Sequence, residues 1–155
     1  MNLQKGQSAP DFTLFNTDKQ EITLSSFKGK KVVLLFVPAA FTGTCTKELC
    51  GIRDGIAAYN NVNAEVLGIS CDSVFVLGKW KEQEAFNFTM LSDYNKEVSA
   101  LYGVDYPKGK FPAGMFGHSK RSAFVIDENG IIQYTEILEV ASDLPDFSAI
   151  MAALA

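Results

Sequence analysis

Cys45 and Cys50 stand five positions apart inside "FVPAAFTGTCTKELC", residues 36–50, and the chain holds one further cysteine, Cys71. Thiols so placed can ligate a metal, exchange disulfides, act as nucleophiles or fill a core. Structural zinc wants four ligands, commonly in close pairs. Here three Cys and a single His, His118, are spread along the chain, so no metal centre is expected. A thioredoxin-type disulfide exchanger carries two residues between its cysteines, whereas this pair carries four. An odd count of three is also too small for a disulfide framework. A nucleophilic thiolate and a core thiol remain.

The elements around Cys45 bear on that choice. "VVLLFV", residues 32–37, is a continuous apolar run of strand length, the pattern of a strand buried on both faces. It stops at Pro38. Cys45, Leu49, Ile52, Ile56 and Tyr59 then recur at steps of 4, 3, 4 and 3, which predicts a helix beginning near Thr42–Thr44. Cys45 thus falls in the first turn of a helix at the carboxyl end of a strand, where ligands gather in open α/β sheets. Unpaired N–H groups and the positive end of the helix dipole favour an anion there, hence a thiolate. The preceding Gly- and Thr-rich loop suits close approach of backbone to a ligand. Yet Cys45 also opens the apolar stripe, and cysteine is among the most buried residue types. On these grounds both readings stand.

The rest of the chain supplies the frame. "DFTLF" and "EITL" flank a polar turn and predict an N-terminal hairpin. "EVLGIS" predicts a second buried strand, residues 74–86 a helix around Trp80, "FTML" a short strand, and "NKEVSALYG" a helix ending at Gly103. "SAFVID" and "IIQYTEI" predict a hairpin around "ENG", and the tail from Leu144 an amphipathic helix. Alternating strands and helices argue for parallel strands with crossover helices, and the closing hairpin makes the sheet mixed. This is the order of an α/β, thioredoxin-like fold: a mixed central sheet flanked by helices, with an N-terminal β-hairpin addition. At 155 residues, one domain spanning 1–155 is expected.

Composition narrows the partners. Fourteen Lys plus Arg against 18 Asp plus Glu give a net charge of −4 with no basic block, so nucleic acid is not expected. No apolar run reaches membrane-spanning length. The opening "MNLQKGQSAP" has no apolar core of a secretory signal, so the cytoplasm is the expected location. Cys71, ending "GISC", reads as a buried small hydrophobe. The stretch "YPKGKFPAGMFGH", 106–118, is long for a structureless loop. Its Phe111, Met115 and Phe116 suit a pocket rim or a dimer contact. Nothing in the sequence gives His118 a catalytic role.

"PAAFTGTC" carries the Pro-x-x-x-Thr-x-x-Cys spacing of peroxiredoxins, on Pro38, Thr42 and Cys45. "GQSAPDFTL" and "LSSFKGKKVVLLF" resemble that family's opening strands, and "RSAFVIDENGII" its late strand, whose active-site arginine falls on Arg121. Glu48 matches a glutamate often found three residues after the cysteine. "FTGTCTKELCGIRD" is similar to the Q-type, or bacterioferritin comigratory protein, group, which often has a second cysteine where Cys50 stands. It is also similar to E-type alkyl hydroperoxide reductases, which typically lack that cysteine. The resemblance implies a thiol peroxidase without a cofactor or metal. Its substrate would be hydrogen peroxide or an organic hydroperoxide, and its partner a thioredoxin-like or other thiol reductant.

On that resemblance Cys45 is the peroxidatic residue and becomes a sulfenic acid. Arg121 holds the thiolate and the peroxide oxygens, and Thr42 offers its hydroxyl; its alternative role is helix N-cap. Pro38 shields the pocket, and Glu48 orients Arg121 or favours the helix start. Strand alternation sends Lys120 and Arg121 to opposite faces, so one of them faces the pocket. Cys50 is expected to resolve the sulfenic acid as an intramolecular disulfide. Five residues along a helix put Cα atoms ~8.7 Å apart, beyond the roughly 4.4–6.8 Å of a disulfide. Resolution therefore requires the first turns to unwind. A one-cysteine enzyme with Cys50 a bystander, a non-enzymatic peroxide sensor and a scaffold with inert thiols are the alternatives. A homodimer held partly by loops around the site is also expected.

Overall fold

The computed structural model describes residues 2–155. The run read as a doubly buried strand forms β3 (Lys31–Phe36), and its side chains alternate between two separate cores. Val33, Leu35 and Val37 point to one, Val32, Leu34 and Phe36 to the other. This is why the sequence shows no polar alternation there: neither face meets water.

Around β3 lies a seven-stranded sheet in the order β2-β1-β5-β4-β3-β6-β7. β4 (Ala64–Ser70) and β5 (Thr89–Ser92) continue it in parallel, each reached by a helical crossover. β6 (Ser122–Ile126) pairs antiparallel with β3, and β7 (Ile132–Ile137) antiparallel with β6. The N-terminal hairpin, β1 (Thr13–Asn16) and β2 (Glu21–Thr23), docks antiparallel on β5 and extends the sheet edge. The arrangement is the thioredoxin-like mixed sheet with an added hairpin.

α1 (Gly43–Asp54), α2 (Ile56–Asn61), α3 (Val74–Glu84) and α5 (Phe147–Leu154) cover one face, where Leu49, Ile52, Leu77, Trp80 and Ile150 pack on Val33, Leu35 and Val125. The other face is closed by α4 (Glu97–Leu101) and by Phe12, Leu24 and Tyr102. Burying a side chain such as Leu49 contributes roughly 1.5–3 kcal/mol, so α1 is held to the sheet by its apolar stripe.

Two elements differ from expectation. The helical stripe from Cys45 to Tyr59 is broken at Gly55, which sits at φ −104°, ψ 14° between α1 and α2. Glycine is a weak helix former, and the stripe resumes in phase after it, so periodicity alone did not reveal the break. α4 is only five residues long. Both oxygens of the buried Asp93 cap it, accepting from Val98 N and Ser99 N at 3.0 and 2.7 Å, and Gly103 follows it at φ 70°. No helix of the described residues is long and apolar enough to cross a membrane.

Candidate active site

The carboxyl end of β3, the start of α1 and the start of β6 meet at one sheet edge. In the β3–β6 register Phe36 faces Ser122, so Arg121 lies beside the end of β3. By alternation Arg121 shares a face with Ala123 and Val125, whose side chains enter the core beneath α1. Cys45, the third residue of α1, enters the same core, and Glu48 follows it on the same helix face.

These three side chains make direct contact. Arg121 Nη2 donates to Cys45 Sγ at 3.3 Å, and Nη1 donates to Glu48 Oε1 at 2.7 Å. A third bond runs from Nη2 to the carbonyl of Ala141 at 2.8 Å. Cys45, Glu48 and Arg121 are each only 1% exposed. Lys120 turns the other way and pairs with Glu139 at 3.0 Å. A permanently charged guanidinium thus lies against a sulfur at a helix N-terminus, out of water, where charge–charge attraction is strongest.

Glu48 is the counter-ion with a cost. Burial pushes its carboxyl up from the ordinary 4.5 to about 7, although the adjacent Arg121 pulls the other way. Its Oε2 has no hydrogen-bond partner among the described residues, so the ionised form is only half satisfied. Arg121 therefore has two candidate anions, the Glu48 carboxylate and a Cys45 thiolate. A protonated Glu48 leaves the full cation to the sulfur.

The loop between β3 and α1 is held from several directions. Pro38 is buried, and its carbonyl accepts from His118 Nδ1 at 2.9 Å; a carbonyl only accepts, so Nδ1 carries the proton. Ala40 N donates to Asp72 Oδ2 at 2.8 Å, and Ser119 Oγ to Val37 O at 3.2 Å. Phe41 takes the left-handed φ of 64°, whereas Gly43 opens the helix. A bulky residue at positive φ is strained, and such strain collects at functional loops. Thr42 occupies the N-cap position, but its hydroxyl makes no cap bond and donates to Ala39 O at 2.8 Å.

Cys50 is not brought to Cys45. α1 is unbroken between them, all three cysteines are free, and Cys50 faces α3, where its Sγ lies 3.5 Å from Glu84 Oε2. Cys71 is buried against Ser99, and burial, then the Asp93 charge, pushes its thiol up to about 11. The 106–118 stretch folds back toward the site. Tyr106 N donates to His118 O at 2.9 Å, and Phe111 turns inward to stack on His118 at 4.3 Å, while Met115 and Phe116 stay exposed. Among the described residues no group of three His, Cys, Asp or Glu could hold a metal.

Sequence reasoning passed over His118 and Asp72. Their partners are backbone groups of a distant loop, and single-residue spacing carries no trace of such contacts. The lone histidine closing the Gly-rich stretch 106–118 was the one available signal.

A thiol backed by a buried guanidinium at a strand–helix junction makes this edge of the thioredoxin-like scaffold the candidate site for thiol chemistry. The sequence pattern of the AhpC/TSA family matches residues 5–135, and the chain belongs to that family. It is 39% identical over 133 residues to the chloroplastic peroxiredoxin Q of Oryza sativa subsp. japonica, matching 85% of this chain and 58% of that protein. The chain thus spans just over half the length of that plant relative. It is 35% identical over 132 residues to peroxiredoxin Bcp of Escherichia coli (strain K12), matching 85% and 84% of the two chains. The crystal structure of peroxidoxin BcpB from Mycobacterium tuberculosis superposes with a TM-score of 0.86 at 32% identity, over 99% of this chain and 97% of that one.

The Glu48 carboxyl carries a pH signature. Between about 4.5 and 7 the folded protein holds a proton there that the unfolded chain has released. Its contribution to stability is therefore full below pH 4.5 and is lost as pH rises through 7. Urea midpoints of the wild type and Glu48→Gln, measured at several pH values, should diverge over that window, with the wild type losing ground as pH rises. A constant difference would contradict the assignment.

Proposed function

We propose that the protein is a thiol peroxidase that reduces hydrogen peroxide and organic hydroperoxides at Cys45. The observation that carries this reading is the buried contact of Arg121 Nη2 with Cys45 Sγ at 3.3 Å. In the first step the Cys45 thiolate attacks one peroxide oxygen. An S–O bond forms, the O–O bond breaks, and the leaving oxygen departs with the electron pair and takes a proton as water or alcohol. Cys45 is left as a sulfenic acid.

Magnitudes assign the work. An ordinary thiol of pKa ~8.5 is about 3% ionised at pH 7, so full ionisation gains at most ~30-fold, roughly 2 kcal/mol. Larger acceleration comes from positioning the peroxide and from a cation beside the leaving oxygen. Arg121 supplies that cation, and Glu48 and Ala141 O hold its plane in place. The Thr42 hydroxyl gives its proton to Ala39 O, so it can only accept, which suits the O–H of a hydroperoxide. Pro38, pinned by His118, walls the loop.

Cys45 is 1% exposed and out of reach of a protein thiol in this conformation. Half-buried Cys50 provides a route: it resolves the sulfenic acid as a 45–50 disulfide once the first turns of α1 unwind. A thioredoxin-like dithiol protein then reduces that disulfide in a reducing compartment such as the cytoplasm. Phe41, Phe75 and Phe116, exposed by 47, 70 and 65%, lie in segments that converge on this edge of the sheet and support a homodimer through it.

Cys45→Ser should abolish peroxide consumption in a reductant-coupled assay while the far-ultraviolet spectrum stays unchanged; retained turnover would refute the reading. Oxidation of Cys45 without turnover would mark a sensor instead. Arg121→Lys should lose about 2–4 kcal/mol of barrier stabilisation, because lysine lacks the planar fork. Near-normal rates in Arg121→Lys and Arg121→Ala would remove Arg121 from the site. Sedimentation at micromolar concentration should show a species of twice the 16.9 kDa chain mass, and a single species at 16.9 kDa would exclude the dimer.

A further inference from the structure

α1 and α3 are joined along one seam. Trp80 Nε1 donates to Thr46 Oγ1 at 3.2 Å, one helical turn before the contact of Cys50 Sγ with Glu84 Oε2 at 3.5 Å. Just beyond, Arg53 Nη1 donates to the backbone carbonyl of Glu84, and Asn87 Nδ2 donates to Arg53 O at 3.1 Å. A carboxylate can only accept, so Cys50 is the donor, as a thiol.

The two thiols of α1 therefore face opposite charges. Cys45 meets the Arg121 guanidinium, and Cys50 meets the Glu84 carboxylate. The other charges near Cys50 are Arg53 and Asp54 on its own helix. Arg53 is already engaged, with Nε on Asp54 Oδ1 at 2.9 Å and Nη1 on the Glu84 carbonyl. Burial first, and the Glu84 contact next, push the Cys50 thiol up. The Arg53 clamp holds the part of α1 beyond Cys50, so unwinding confined to the turns before it would bring Cys45 to a Cys50 that stays in place.

We propose that Glu84 holds Cys50 as a stationary thiol and accepts its proton in the resolving step. This rests on the reading of Cys50 as the resolving residue. As the Cys50–Cys45 S–S bond forms, the S–O bond of the sulfenic acid breaks. The Cys50 proton passes to Glu84, and the departing hydroxide takes up a proton from that carboxyl as water. The sulfenic sulfur is the oxidant, so no other electron acceptor is needed, and Glu84 returns to its carboxylate.

The test is a single-turnover experiment in the Cys71→Ser background. One equivalent of hydrogen peroxide is added, samples are acid-quenched, and 45–50 bridge formation is followed by mass spectrometry from pH 5.5 to 9. Glu84→Gln should form the bridge at least tenfold more slowly near pH 6–7. The deficit should narrow as pH rises and the thiol ionises unaided, while the rate of Cys45 oxidation stays that of the parent. Equal rates and equal pH profiles would overturn the role of Glu84 and leave the resolving role of Cys50 intact. No 45–50 bridge in the parent would overturn both. An independent readout is alkylation of Cys50 in Cys45→Ser/Cys71→Ser by iodoacetamide. Its pH midpoint should fall when Glu84→Gln is added, and an unmoved midpoint would overturn the contact.

Discussion

The structure is organised around one buried cation. Arg121 is 1% exposed, and removing an ion of this kind from water costs several kcal/mol even after relaxation. Three groups offset that cost: the Glu48 carboxylate, the Ala141 carbonyl and the Cys45 sulfur. Two of them sit three residues apart on α1, and the third follows β7. Its two terminal nitrogens find these partners only when α1, the start of β6 and the segment after β7 are assembled together, and Nε stays buried without a partner among the described residues. The same requirement that makes Arg121 hard to bury makes its geometry hard to disturb.

The sheet makes this assembly possible. β3 and β6 run antiparallel, so the end of one lies beside the beginning of the other. A helix launched from β3 therefore starts next to the residue that precedes β6. Alternation then decides which of two adjacent basic residues faces the helix: Arg121 goes in, and Lys120 pairs with Glu139 outside. On the helix, three-residue spacing sets Glu48 behind Cys45, so one guanidinium can span both. The helix–helix seam from Thr46 to Arg53 is the counterpart on the other side of α1, and it sets Cys50 in an acidic rather than a cationic environment.

Much of this was legible beforehand, for identifiable reasons. The doubly buried strand, the crossover helices and the closing hairpin follow from local periodicity, and the structure realises them with boundaries displaced by a few residues. The Cys45–Arg121 pairing was legible only through resemblance, since nothing in the spacing of two residues so far apart announces contact. The bonding of Thr42 was not legible. A threonine at a helix start caps in isolation, but here the left-handed turn at Phe41 carries its hydroxyl back to Ala39 O. Nothing in the sequence ties His118 to Cys45, because its partner is the Pro38 carbonyl, a backbone group that no side-chain pattern encodes. Glu84 was invisible for another reason: its partner is the Cys50 side chain on a different helix, and one acidic residue at the end of a charged helix announces no such contact.

The central claim is that the sulfur touching Arg121 is the one that reacts with peroxide. The most direct measurement is peptide mass spectrometry of the protein carrying Cys50→Ser, after one equivalent of hydrogen peroxide at pH 7 in the presence of a 1,3-dione that traps sulfenic acids. The account predicts a single adduct, on Cys45, with Cys71 unmodified. An adduct on Cys71 with Cys45 untouched, or no adduct while peroxide persists, would contradict it.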